Sequence, residues 1–263
     1  MLPVVFVSHG APSFALEPGV AGPALTTFGN TLPKPETIIV LSPHWQSQGL
    51  WISSTETPET IYDFSGFPSA LYQLQYPVAG KPDIAAKLQQ HLQQQGFSVG
   101  LNPQRGLDHG AWVPLRYMFP NSDVPVIQLS LPVRWSSRQI YQLGQALSDF
   151  APYQVLFIGS GSLTHNLYEF SAYADKPAAA YAAEFSNWIA NQLTNGETLQ
   201  VVDALELAPH ARRAHPTDEH FLPLSFVLGI AGNDSVVHSL VREIRHGVLS
   251  MDAYVFDRSG QEV

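Results

Sequence analysis

Four short apolar runs closed by turn-forming residues punctuate the chain: Val4 to Ser8, Thr37 to Ser42, Val124 to Ser130 and Val155 to Gly159. They are too short for helices and rich in β-branched side chains, which predicts strands. Their apolar residues are continuous rather than alternating, which predicts a sheet covered on both faces. Between them lie segments of helical periodicity. Pro82 to Gln95 carries Ile84, Ala85, Leu88 and Leu92 on one face. Arg138 to Phe150 carries Ile140, Leu143, Ala146 and Leu147, and the alanine-rich Ala178 to Leu193 carries Phe185, Trp188 and Ile189. A further helix is expected to begin near Thr217, because Pro216-Thr217-Asp218-Glu219 reads as an N-terminus. It would continue through the apolar run Phe221 to Ile230 and close at Gly232-Asn233-Asp234. Ala253 to Phe256 reads as a last strand. Alternation of strand and helix predicts an α/β fold with a mainly parallel central sheet flanked by helices. No linker divides the 263 residues, so one domain spanning 1–263 is expected.

Against that pattern, the positions of the ten histidines carry more information than their number. His9 directly follows the strand Val4 to Ser8, His44 follows the run ending at Ser42, and His165 comes after Val155 to Gly159 and the flexible Ser160-Gly161-Ser162. Ligands of open α/β sheets bind outside the carboxyl ends of the strands, so the active site is expected at that edge with these three imidazoles around it. A fourth group lies in His215-Pro216-Thr217-Asp218-Glu219-His220, within which the residues alone do not choose a ligand. His109 stands beside Gly110 and shortly after Gly106, residues that allow backbone to approach a ligand closely. A lone loop histidine is usually solvated, but three at one edge, flanked by Gly, Pro or Ser, are hard to ascribe to packing, and imidazole is the commonest metal ligand.

The remaining histidines are read as unspecialised: His91, His238 and His246 at the surface, while His210 stays undecided with the same bias. The serines of Gly159-Ser160-Gly161-Ser162 are read as turn formers that leave room around His165. That segment lacks the third glycine of a dinucleotide fingerprint, and no Gly-x-Ser-x-Gly nucleophile elbow is present. Trp45, Trp112, Tyr117 and Phe119 divide between an aromatic substrate pocket and the core, the commoner fate.

Composition narrows the chemistry further. Hydrophobic residues make up 45% and charged residues 13%, well below the usual quarter or so, which predicts a deep core and a surface of Gln, Ser, Asn and Thr. The net charge of −9, with 13 Lys plus Arg and no basic cluster longer than Ala211-Arg212-Arg213, gives no basic stripe for a nucleic-acid partner. The absence of cysteine removes disulfides and thiolate sites, leaves nitrogen and oxygen as metal ligands, and fits a cytoplasmic protein. The start MLPVVFVSHGAP lacks a basic leader, and no run of about 18 apolar residues occurs, so neither a signal peptide nor a membrane span is expected.

Seven motifs in order extend over nearly the whole chain. They are Ser8-His9-Gly10-Ala11-Pro12, Ser42-Pro43-His44-Trp45, Tyr62-Asp63-Phe64 with Gly66-Phe67-Pro68, Tyr76-Pro77, Arg105 to Leu115, Gly159 to Ser162 with His165-Asn166-Leu167, and His215-Pro216 with Glu219-His220-Phe221. Together they resemble the class III extradiol ring-cleavage dioxygenases, in the branch similar to 4,5-DOPA dioxygenase extradiol. The resemblance implies a non-haem metal held by His9, His44 and His220, with His109 and His165 acting on substrate and oxygen. His215 is the runner-up third ligand, and Glu219 is the carboxylate candidate in the position that other class members fill with an acid. Plant betalain-pathway members carry His-Pro-x-x-Asp-Thr-Pro, whereas this chain has His165-Asn166-Leu167-Tyr168 in its place.

The implied reaction inserts dioxygen into a small aromatic diol, a DOPA-like catechol. Fe(II) would serve for activity, since three protein ligands leave positions for the catechol oxygens and for dioxygen. Zn(II) is an expected alternative occupant, with His165 able to close its tetrahedral shell as a fourth ligand. Two rivals share the histidine set: a zinc hydrolase with an activated water, and a non-catalytic relative that keeps the metal cleft.

Overall fold

A computed structural model describes residues 2–150 and 154–258. The apolar runs form the centre of an eight-stranded sheet. Strands β1 (Val4–Ser8), β2 (Thr37–Ser47), β3 (Leu50–Ser53), β4 (Val99–Asn102), β5 (Val126–Pro132), β6 (Val155–Gly161) and β7 (Val236–Val241) are joined by β10 (Ala253–Asp257) in the order β4-β3-β5-β2-β6-β1-β10-β7. The small strands β8 (Ile244–Arg245) and β9 (Leu249–Ser250) pair separately. β5, β2, β6 and β1 run parallel, while β10 is antiparallel to both β1 and β7. Every residue of β1, β5 and β6 is buried. This is the continuous hydrophobicity that a sheet covered on both faces demands, and the expected mainly parallel α/β domain is the fold.

One face is covered by α1 (Ala21–Thr31) and α3 (His109–Met118). The other is covered by α2 (Pro82–Gln94), α4 (Ser137–Ala146), α5 (Ala180–Thr194), the short α6 (Thr198–Val202), α7 (Ala204–Leu207) and α8 (Ala211–Ala214), and α9 (Leu222–Ala231). No described helix is long and apolar enough to cross a membrane.

The departures from the expected elements have local causes. β2 runs on to Ser47, but its register on β5 shifts between Leu41 and Gln46, so the stretch holding His44 is a bulge. The helix expected from Thr217 begins only at Leu222, with Pro223 in its first turn. The residues before it are spent on turning and docking: Phe221 N donates to Asp218 O, and Ser162 N donates to His220 O at 2.8 Å. α1, α3 and the edge strands gave no period-3.6 or alternating signal. α3 in particular is buried on nearly every side, and that erases an amphipathic stripe.

Candidate active site

β2, β6 and β1 are neighbours and parallel, so the segments leaving their carboxyl ends emerge side by side. His9, His44 and His165 therefore stand at one edge, as the strand-end placement predicts. His220 reaches them from the loop before α9. Its carbonyl accepts from Ser162 at the end of β6, and Gly159 and Gly161 make that docking possible, since a side chain on either would collide with the backbone of Pro223 or His220. His109 enters from the first position of α3, whose N-cap Asp108 accepts from Ala111 N. Buried Asp108 also accepts from Ser42 Oγ at 2.8 Å, Arg105 at 2.8 Å and the side chain of Gln128, tying the start of α3 to β2 and β5. Gly110 lets α3 lie against Ser42 and His44.

The rings of His9, His44 and His220 form a nearly equilateral triangle, with centroids 4.9, 5.3 and 5.0 Å apart. One nitrogen from each falls within 4.8 Å of the others. Two of the rings are fixed from behind through Nδ1. Ser160 Oγ donates to the carbonyl of Gly110, so its lone pair accepts from His9 Nδ1 at 2.9 Å. His220 Nδ1 donates to Glu219 at 3.0 Å. Asp63 accepts from His109 N at 2.9 Å and His109 Nδ1 at 2.8 Å, and the same carboxylate stands 3.3 Å from His44 Nδ1 as an ion-pair neighbour. With Nδ1 of His9 and His220 protonated, their Nε2 atoms present bare lone pairs to the triangle.

His9 and His44 Nε2 lie 3.0 Å apart, and His220 Nε2 is buried without a partner. At that distance the pair is held by a proton on one ring or by a cation between two lone pairs. Histidines oriented in this way by carboxylates and hydroxyls are the common construction of metal sites, so His9, His44 and His220 are the donor set that could hold a divalent ion.

Electrostatics agree with that reading. Burial, followed by the neighbouring imidazoles, pushes His9 and His220 well below the ordinary histidine value. His44 is lowered to about 3 by burial and by His109 against the opposing pull of Asp63, and His165 to about 4 by burial and by His44 and His109. All four are neutral near pH 7, the form that binds metal. Burial alone would raise the Asp63 carboxyl, but its hydrogen bond from His109 and the field of that ring hold it at about 2.

Above the triangle opens a cavity of about 610 Å³, walled by Phe64, Phe67, Leu167, Phe170, Pro12 and Pro43. His165 lies flat on His220, with centroids 3.4 Å apart and planes 9° from parallel, and His109 packs against His44 at 4.0 Å. Both line the cavity.

Other readings shift. His215 is buried away from the triangle, donating from Nε2 to Leu163 O at 2.6 Å between Phe185 and Phe221. Glu219 accepts from His220 and from Thr217, so it braces a ring from outside the triangle. The serines expected as turn formers belong instead to β6 and its end: Ser160 holds His9, and Ser162 ties the carbonyls of Thr164 and Ser250 together. His246 is buried rather than superficial, stacked on Phe170 at 4.5 Å. His91 is half-buried on Ala146 O, His238 is exposed as expected and paired with Asp257, and His210 is exposed and paired with Glu184. Trp45, Trp112 and Phe119 are core residues and Tyr117 is tied to Phe14 O, so the pocket's aromatic walls are other residues. Asp63, Ser160 and Asp108 escaped the residue-by-residue reading. For Asp63 the one sequence signal was its place in the Tyr62-Asp63-Phe64 motif.

Comparison with known proteins agrees with the geometry. Residues 27–255 match the family described as the catalytic LigB subunit of aromatic ring-opening dioxygenase. The chain is 38% identical over 255 residues to a 4,5-DOPA dioxygenase extradiol of Beta vulgaris, covering 95% of each chain. It is 32% identical over 253 residues to one of Escherichia coli K12, covering 95% of this chain and 93% of that one. A crystal structure of an uncharacterized Escherichia coli K12 protein superposes with a TM-score of 0.80 at 27% identity, covering 97% of this chain and 99% of the other.

Proposed function

The chain belongs to the family of the catalytic LigB subunit of aromatic ring-opening dioxygenases and is an extradiol dioxygenase, and from that premise we propose that it opens a catechol ring with dioxygen at a divalent metal held by His9, His44 and His220. The observation that carries the ligand assignment is the triangle of three imidazoles, with Nδ1 of His9 and His220 hydrogen-bonded from behind and His44 Nδ1 beside Asp63. Fe(II), when bound, supplies redox chemistry toward dioxygen, and three protein ligands leave positions for substrate oxygens.

The chain's own residues orient the diol and move its protons. His165 is kept neutral by burial and stands over the ligand triangle at the cavity wall, so its imidazole takes the proton of one catechol hydroxyl and later returns it. His109 donates from Nδ1 to Asp63, which leaves Nε2 as an acceptor for the second hydroxyl or for the oxygen side of the site. The apolar walls exclude water and lie along the faces of an aromatic ring.

The test is anaerobic reconstitution with Fe(II), followed by oxygen uptake and spectroscopy with a panel of catechols. Yellow ring-opened product is expected together with one metal per chain. His220→Ala should lose the metal and His215→Ala should keep it. Stoichiometric metal in His220→Ala would remove His220 from the ligand set, and absence of oxygen uptake with every catechol would remove the reaction.

A further inference from the structure

The cavity over the histidine triangle is larger and more apolar than a lone diol ring requires. About 610 Å³ lies within the range that houses drug-sized ligands. Its aromatic lining residues are individually braced. Phe64 packs edge-on against His109 at 5.6 Å and against Phe67 at 5.5 Å, and against Tyr72 at 5.3 Å. Phe170 is stacked on buried His246, whose Nδ1 donates to Ser171 O at 2.8 Å and so fixes the turn that carries it. The apolar surface continues outward past the mouth, where Leu167 is 60% and Tyr168 90% exposed.

The charges point the same way. No lysine or arginine is among the described residues that line the cavity, and its one acidic lining residue, Glu219, is engaged by His220 and Thr217. Arg213, which reaches the turn carrying Phe170, is held by both oxygens of Glu169 at 2.7 and 2.8 Å. A carboxylate on the substrate's side chain would therefore meet no cationic side chain among the described lining residues.

We infer that the substrate is a catechol bearing an uncharged apolar substituent, alkyl or aryl, packed against Phe64, Phe67, Leu167 and Phe170, rather than a catechol amino acid. The inference rests on the dioxygenase reading for which ring is cut, but its selectivity can be measured without turnover.

The experiment titrates zinc-loaded protein with 4-phenylcatechol, catechol and DOPA by calorimetry, and in parallel follows oxygen uptake on Fe(II)-reconstituted enzyme. 4-Phenylcatechol should bind about tenfold or more tightly than DOPA, the scale expected from burying a few apolar carbons. Phe170→Ala and, independently, Phe67→Ala should narrow that ratio. DOPA binding as tightly as 4-phenylcatechol, or a ratio untouched by both variants, overturns the inference. If the binding order holds while no catechol is opened, the apolar selectivity stands and the dioxygenase reading falls. If DOPA is opened fastest, the reaction stands and the selectivity falls.

Discussion

Asp63→Asn is the most informative single change, because one carboxylate sets the tautomer of two histidines with different tasks. Asp63 accepts from the backbone N of His109 through Oδ1 and from its Nδ1 through Oδ2, which also lies 3.3 Å from His44 Nδ1. The amide keeps one acceptor oxygen; with that oxygen on the backbone N, its NH₂ faces both imidazoles. The cheapest escape for those rings is to move the proton to Nε2, and in His44 this places a proton where a metal would bind. Losing such an outer partner typically costs about 10–100-fold in metal affinity, or about 1.4–2.7 kcal/mol. Stability should fall by less than the sum of two lost hydrogen bonds, because the side chain keeps 19% exposure and water can reach the orphaned groups. Competition between apo-protein and a chromophoric zinc chelator measures the affinity, and thermal melting of the same apo-protein measures the stability. Weaker binding with a nearly unchanged melt is the expected result. An Asn variant that binds zinc as tightly as the parent would refute the argument that Asp63 fixes His44.

His165→Gln should keep metal and bind catechol but lose turnover by about 10²–10⁴-fold, the usual worth of a positioned acid–base group; metal analysis and oxygen uptake on one preparation decide, and parallel loss of both would make His165 a ligand. Ser160→Ala removes the acceptor of His9 Nδ1 and the donor to Gly110 O, both buried, so it should weaken metal binding and lower stability by about 1–3 kcal/mol in urea titrations; an unchanged midpoint and affinity would deny Ser160 that role. His215 is depressed to about 3 by burial while the unfolded chain titrates near the ordinary 6.5, so between those values the unfolded state binds the extra proton. Stability should therefore be full above about pH 6.5 and decline on acidification by about 1.4 kcal/mol per unit from this residue. His215→Gln should flatten the slope of urea stability against pH by that amount, and an identical slope would show that His215 does not contribute. His91→Ala, on the far side of α2, should leave metal content untouched, and loss of metal there would undo the spatial assignment of the site.

The sequence by itself determined the parallel core and the edge at which the chemistry sits. Continuous β-branched runs can be buried only in a two-sided sheet, and a histidine placed just past such a strand is bound to its carboxyl end whatever the rest of the chain does. That local rule covers His9, His44 and His165, and the ordered motifs add His109 and His220. Tertiary structure decided which imidazoles face one another and what stands behind them. His215 and His220 share one hexapeptide, yet the docking of His220 O on Ser162 N turns one ring into the cavity and the other between Phe185 and Phe221. Ser160, 151 positions from His9, and Asp63, 46 from His109, are joined to them only because strand order and helix packing bring distant segments together. Such contacts leave no periodicity in the chain, since a hydrogen bond needs proximity in space and is indifferent to separation in sequence. The pocket walls stayed open for a related reason. Aromatic size is legible in a sequence, but whether a ring such as Trp112 fills the core or one such as Phe170 faces a cavity depends on which side of its element the remainder of the fold covers.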